Sequence, residues 1–176
     1  MLKIATIGYE RSDIDTFCEA LLAAGIQQVI DVRELPLSRK RGFSKKIFAA
    51  SLLNVGIAYV HLRSLGDPKP GREAARSGRY TEFHKIFSRH MQTKDAQFGL
   101  KTAAALAKCK RSALLCFERQ HTICHRAIVA DALRLDYGFT IEHLTIAETA
   151  GESGGVTRRG NNCSCKSGAS SRSATR

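Results

Sequence analysis

The sequence predicts a layered α/β domain with a largely parallel sheet of about five strands and flanking helices. Three observations carry that prediction. Five short β-rich segments recur along the chain, at residues 3–7, 28–32, 57–61, 113–117 and 140–146. Segments with helical apolar spacing separate them. Unusual polar stretches follow four of the five, as expected where strands of a parallel sheet end on one rim.

Residues 3–7 read as a first strand rather than a signal peptide, because the apolar run is short and soon interrupted. Ser12-Asp13 can cap a first helix carrying Ile14, Phe17, Leu21 and Leu22, which Gly25 would end. Ser44 can cap a second, with Ile47, Phe48 and Leu52 on one face. Residues 81–91 and 98–108 give a third and a fourth. Residues 124–135 give a fifth, ended near Gly138. The expected domain covers residues 1–148. Residues 149–176 are rich in Ser, Gly and Arg and nearly free of apolar side chains, so they predict a disordered basic tail. Cys163 and Cys165 fall in that tail and are read as incidental.

The formal net charge is +12. The stretch from Gly151 onward supplies +4 of it and the remainder +8, so the body is basic by itself. Nucleic acid or a nucleotide is the partner class this favours. A basic surface with no specific partner is the plain alternative. No apolar run reaches the roughly 18 residues needed to span a bilayer, so no membrane partner is expected. The six cysteines lack the spacing of a disulfide scaffold, which suits a reduced cytoplasmic protein.

Four strand-end segments hold the candidate site. Gly8-Tyr9-Glu10 follows the first strand. Gly8 allows close backbone approach to a ligand. Glu10 can act as an acid or base or bind a ribose hydroxyl, or simply pair with an arginine. Asp31-Val32-Arg33 ends the second strand and leads into Pro36-Leu37-Ser38-Arg39-Lys40-Arg41-Gly42. Six basic residues lie between positions 33 and 46 against one acid, Glu34. Such a loop entering a helix N-terminus suits a phosphate, although Asp31 and Arg33 would equally form a structural ion pair. Leu62 to Asp67 is the third segment.

The fourth, Leu114 to Arg126, is the richest. A buried strand stops at Glu118, a polar loop follows, and Cys124-His125-Arg126 opens a helix. Glu118 can orient a guanidinium or serve as a general base. Cys124 at a helix start, with His125 or His121 as its base, is a candidate nucleophile, or a small core thiol. His125-Arg126 reads as an anion clamp, with Arg126 the stronger partner because it is always charged. Cys116 is expected to be buried in its strand. Cys116, His121, Cys124 and His125 match no closed four-ligand spacing, and adjacent helical residues point different ways, so neither a metal nor a cofactor is expected.

Thr6-Ile7-Gly8-Tyr9-Glu10, Asp31-Val32-Arg33 with Pro36-Leu37-Ser38-Arg39, Gly42-Phe43-Ser44, Leu65-Gly66, and Leu115-Cys116-Phe117-Glu118 with Cys124-His125-Arg126 occur in one order along the chain. In these motifs the chain resembles the family called domain of unknown function 488, from residue 3 to about 146. The resemblance implies a compact α/β domain with a rim built from the motifs, and it supplies no reaction. There is a looser likeness of layout to rhodanese-like sulfurtransferase and cysteine-phosphatase domains. The phosphatase spacing does not hold, because Thr122 stands where its arginine would fall.

The leading expectation is a cytoplasmic protein that binds a phosphorylated ligand or nucleic acid at a basic strand-end cleft. Gly8, Tyr9, Glu10, Arg33, Ser38, Arg39 and Arg126 would form the binding set, with Glu118 placing the ligand or taking a proton. A thiol-dependent enzyme with Cys124 as nucleophile, for thiol transfer or ester hydrolysis, is a second expectation. A non-catalytic interaction module is a third. Whether the protein is an enzyme, and its oligomeric state, stay open.

Overall fold

The computed structural model of the chain describes residues 2–146. The expected tail, with Cys163 and Cys165, lies outside the described residues. In chain order the strands are Lys3–Gly8 (β1), Gln28–Asp31 (β2), Ala58–His61 (β3), Ser112–Cys116 (β4) and Thr140–His143 (β5). They form one sheet in the order β3-β2-β4-β1-β5, and every pairing is parallel. Strand β4 is buried along its whole length. A central parallel strand covered on both faces has that burial, and it explains the unbroken apolar run in the sequence.

Among the described residues six α-helices flank the sheet: Ile14–Ala23 (α1), Lys45–Asn54 (α2), Lys69–Arg76 (α3), Tyr80–Met91 (α4), Lys94–Cys109 (α5) and His125–Tyr137 (α6). The side chains of β1 alternate between two cores. Ala5 and Ile7 join Val29, Ala113 and Leu115 against Phe17 and Leu21 of α1 and Phe48 and Leu52 of α2. Ile4 joins Ile30 and Leu114 against Phe83 and Phe87 of α4, Leu100 and Ala103 of α5, and Val129 and Leu133 of α6. The result is three layers, with α1 and α2 on one face and the helices from α4 to α6 on the other. Among the described residues no helix is long and apolar enough to cross a membrane.

Local chemistry sets the ends of the helices. Asp13 Oδ1 accepts from the Thr16 amide at 2.8 Å and caps α1. Gly138, in the left-handed region at φ 73°, closes α6 as expected. Ser44 precedes α2 but makes no side-chain cap bond. Its hydroxyl instead donates to the Ser38 carbonyl at 3.0 Å and closes the loop between them. Helix α5 starts earlier than residue 98, because Thr93 caps it through the Ala96 amide at 3.3 Å. Phe98 is 73% exposed and lies off its buried face.

The connections decide where a ligand fits. After β2 the chain crosses to α2 on one face and returns as β3 at the sheet edge. After β4, the neighbour of β2, it crosses to α6 on the opposite face and returns as β5 at the other edge. Adjacent strands whose connections part in this way leave a crevice beyond their carboxyl ends. Arg33 and Cys116 stand at its two lips.

Gly8 fixes one wall of this region. A Cβ at position 8 would collide with the Glu118 carbonyl oxygen and would come within 3.1 Å of Arg126 Nη1. The loop after β4 therefore lies directly on the end of β1. Gly8→Ala should cost about 2–3 kcal/mol, the scale of overpacking against atoms that cannot rotate away. Urea unfolding should show a lower midpoint with the same slope. An unchanged midpoint would mean that the loop is not held there.

Candidate functional site

The crevice is a cleft of about 950 Å³. Its walls come from Tyr9, the segment from Arg33 to Lys40, Asp67, α3 and the start of α4, and its floor includes Cys116, Glu118 and His125. Tyr9, Arg33, Ser38, Arg39, Glu118 and His125 are thus brought together, as the sequence predicts. Gly8, Glu10, Cys124 and Arg126 do not line the cleft.

Each of those four has another place. Gly8 admits the loop after β4 rather than a ligand. Glu10 Oε2 accepts from the Arg119 amide at 2.9 Å and holds the same loop. Arg126, expected as an anion clamp, is 1% exposed. Its guanidinium donates to the carbonyl of Glu118, and to that of Arg119 at 2.9 Å. Those bonds turn its fork toward backbone, away from the cleft. Cys124 is 2% exposed and sits beneath the floor.

Arg33 lines the cleft but is committed to its own frame. It donates to Asp31 Oδ1 at 2.9 Å and Oδ2 at 2.6 Å. It also donates to the Tyr9 hydroxyl at 2.9 Å and the Phe43 carbonyl at 3.0 Å. Burial works against its charge, but Asp31 and Tyr9 outweigh burial and push the pKa up. Tyr59 donates to the same carboxylate at 2.7 Å, and burial and Asp31 raise its pKa as well. The Tyr9 ring stacks on Phe43 with centroids 4.3 Å apart. This network sets the shape of the wall.

The rim is basic. Arg39, Lys40, Arg72 and Arg76 face the cleft. Arg72 is paired with Glu34, whereas Arg39, Lys40 and Arg76 form no ion pair among the described residues. Ser38 shapes the loop that carries two of them, its hydroxyl accepting from the Lys40 amide at 3.1 Å.

The floor concentrates the reactive groups. Cys116 and Cys124 each donate to Glu118 Oε2 at 3.1 Å. His125 Nδ1 lies 3.6 Å from Cys116 Sγ, and its Nε2 donates to the Val32 carbonyl at 2.8 Å. Burial pushes the Cys116 thiol up. Burial and the adjacent Cys116 push Cys124 well above the usual thiol range. For Glu118 burial opposes the charge, but the hydrogen bonds from Cys124, its own backbone amide and Cys116, with His125 nearby, hold its pKa below the usual value. Burial likewise disfavours an imidazolium at His125. Its contacts with Cys124, the Val32 carbonyl and Glu118 outweigh that and raise its pKa to about 9.

Cys116, Asp67, Lys40, Arg72 and Arg76 line the cleft but were not among the expected site residues. Cys116 reads as core because β4 is buried on both faces, yet its side chain reaches the cleft. Asp67 is 5% exposed, and its Oδ1 has no hydrogen-bond partner. Its position just before Pro68 and a helix was the available signal.

The fold and the cleft define a parallel α/β domain whose chemistry-bearing loops meet at a topological switch point. Within that class, the chain belongs to the family described as Domain of unknown function DUF488, whose family model matches residues 13–133. The match contains the Arg33 loop, β4 and the start of α6, and leaves Gly8, Tyr9 and Glu10 outside. No curated protein and no solved structure matches the chain.

Asp67 yields a pH prediction. Burial, opposed by His125 and reinforced by Glu118, raises its pKa from 3.8 to about 6. The folded state then binds the proton more tightly than the unfolded chain, so this group lowers stability as pH rises through that window. Asp67→Asn cannot ionise. Its melting temperature should exceed wild type above pH about 6 and converge with it below pH about 4. A variant less stable than wild type at pH 8 would contradict an unpaired carboxylate there.

Proposed function

We propose that this protein binds a phosphorylated ligand of nucleotide size in the switch-point cleft. The observation that carries this reading is the set of three unpaired cations, Arg39, Lys40 and Arg76, converging on one cavity. A cleft of about 950 Å³ is within the usual range for small-ligand sites. A cleft of this size suits a compact ligand better than a long duplex. The phosphate would meet the rim, where guanidinium groups can grip two oxygens at once. The opposite end of the ligand would lie over Cys116, Glu118, His125 and Asp67.

A thiol-dependent reaction is the second reading, and one observation moves it from Cys124 to Cys116. Cys116 is the thiol that opens into the cleft, with His125 Nδ1 3.6 Å away. Burial holds that thiol protonated, so a reaction would need the ligand or another group to draw off the proton.

The test is calorimetric titration with a nucleoside diphosphate, pyrophosphate and a short single-stranded oligonucleotide. The paired variant Arg39→Ala/Lys40→Ala and the single variant Arg76→Ala should each weaken binding by about tenfold or more, the scale of one lost charge-assisted hydrogen bond. Arg134→Ala, on the outer surface and paired with Asp131, should leave it unchanged. Added salt should weaken every phosphorylated ligand. An oligonucleotide that binds far more tightly than the diphosphate, with a steep salt slope, would make the ligand a nucleic acid. Binding of none of these, or binding indifferent to the rim variants, overturns the proposal.

A further inference from the structure

We infer that the cleft floor is a zinc-class metal site, with Cys116 Sγ, Cys124 Sγ and His125 Nδ1 as ligands and the Glu118 carboxylate as the fourth. The three ligand atoms lie within 4.8 Å of one another, and all three residues are buried. Glu118 Oε2 is 3.1 Å from each sulfur, and His125 Nδ1 is 3.6 Å from Cys116 Sγ. Around a tetrahedral zinc, neighbouring ligand atoms stand about 3.3–3.8 Å apart, given bonds of about 2.0–2.3 Å. The two sulfurs and the imidazole nitrogen are therefore gathered within a span a metal could close, and the Glu118 oxygen lies against both sulfurs.

The backbone explains how adjacent residues reach one point. Cys124 is not a helical residue. It stands before α6 with extended dihedrals, φ −116° and ψ 138°, while His125 is the first residue of the helix. Helical geometry at both positions would separate their side chains. An extended residue followed by a helical one brings them together. This removes one of the two reasons for which the sequence argued against a metal here, the divergence of adjacent helical residues.

The histidine's other nitrogen supports the assignment. His125 Nε2 donates to the Val32 carbonyl at 2.8 Å, which leaves Nδ1 turned toward the sulfurs. A ligating histidine is oriented in this way, by a backbone carbonyl or a carboxylate on the far side of its ring. A reversible disulfide between the two cysteines would need neither that histidine nor Glu118. Two thiols, one imidazole and one carboxylate select a thiolate-preferring ion over magnesium or calcium. On binding, each thiol loses its proton to solvent, as does His125 Nδ1 where it is protonated, and the metal takes their place. Cys116, Glu118 and His125 also line the cleft, so the metal would form its floor.

The experiment uses the full reduced chain and no phosphorylated compound, so its outcome is independent of the ligand proposal. Cobalt(II) titration should give one ion per chain, with an intense thiolate-to-cobalt charge-transfer band that zinc abolishes. Bound zinc should shield Cys116 and Cys124 from iodoacetamide, as peptide mapping would show. Cys116→Ser, Cys124→Ser and His125→Ala should each lose at least the roughly 100-fold in affinity that even outer-shell changes can cost. Cys109→Ser and the paired variant Cys163→Ser/Cys165→Ser should bind as wild type. If a ligand variant fails to fold, the wild-type stoichiometry, band and cysteine protection decide the matter alone. A wild type without the band overturns the inference. So does a band that survives Cys116→Ser and Cys124→Ser or disappears with Cys163→Ser/Cys165→Ser.

Discussion

The placement of the loop after β4 on the end of β1 is the constraint on which the site depends. Arg126 maintains it. Its buried guanidinium donates through both terminal nitrogens to the carbonyls of Glu118 and Arg119, while Nε has no hydrogen-bond partner among the described residues. Glu10 grips the same loop from the other side, through the Arg119 amide. The absence of a side chain at Gly8 lets the loop descend onto the strand. With the loop in that position, Cys116, Glu118, Cys124 and His125 share one small volume. An arginine that sequence assigns to ligand binding therefore acts one step earlier, by fixing the backbone that aims the other groups.

The opposite lip of the cleft is held by a different buried charge. Asp31 at the end of β2 binds the Arg33 side chain through both oxygens and accepts from Tyr59 as well. Removing one partner would strand the other in a nearly dry site, which costs far more than the pair contributes when intact. Its value is geometric. The network ties β2 to β3 through Tyr59, to β1 through Tyr9, and to the basic loop through the Phe43 carbonyl. The loop bearing Arg39 and Lys40 thus leaves a rigid base, while its own cations stay unpaired.

Much of this was legible in the sequence, and the failures have physical causes. The five strands were legible because buried parallel strands carry dense apolar runs of the right length. The convergence of Tyr9, Arg33, Ser38, Arg39, Glu118 and His125 followed from parallel strand ends sharing a rim. Helix α3 was not foreseen. It opens with Pro68-Lys69-Pro70-Gly71, which reads as a turn, and its buried residues are only Gly71 and Ala74. Small residues leave no apolar period to detect, and proline suits a first helical turn as well as a loop. With α3 went Arg72 and Arg76, half of the basic rim. The meeting of Cys124 and His125 was invisible for another reason. Sequence spacing reports which residues are adjacent, whereas the dihedrals of one capping residue decide whether their side chains converge.

The two ends of the cleft differ in electrostatic character. Among the described residues the rim has cations without an ion-pair partner in contact with solvent, where attraction to phosphate is long-ranged but screened. The floor is largely buried, and its groups bond to one another: two thiols donate to one carboxylate, and an imidazole is anchored to a carbonyl. A proton on His125 Nδ1 and a metal ion would compete for the same lone pair. Both thiols also give up their protons to a metal, so metal binding there gains strength as pH rises. A cation at the floor would also add positive charge beneath the rim. That charge would favour an anionic ligand whose far end reaches the sulfurs. Rim and floor would then reinforce each other through the ligand, although different residues build them and different chemistry holds each in place.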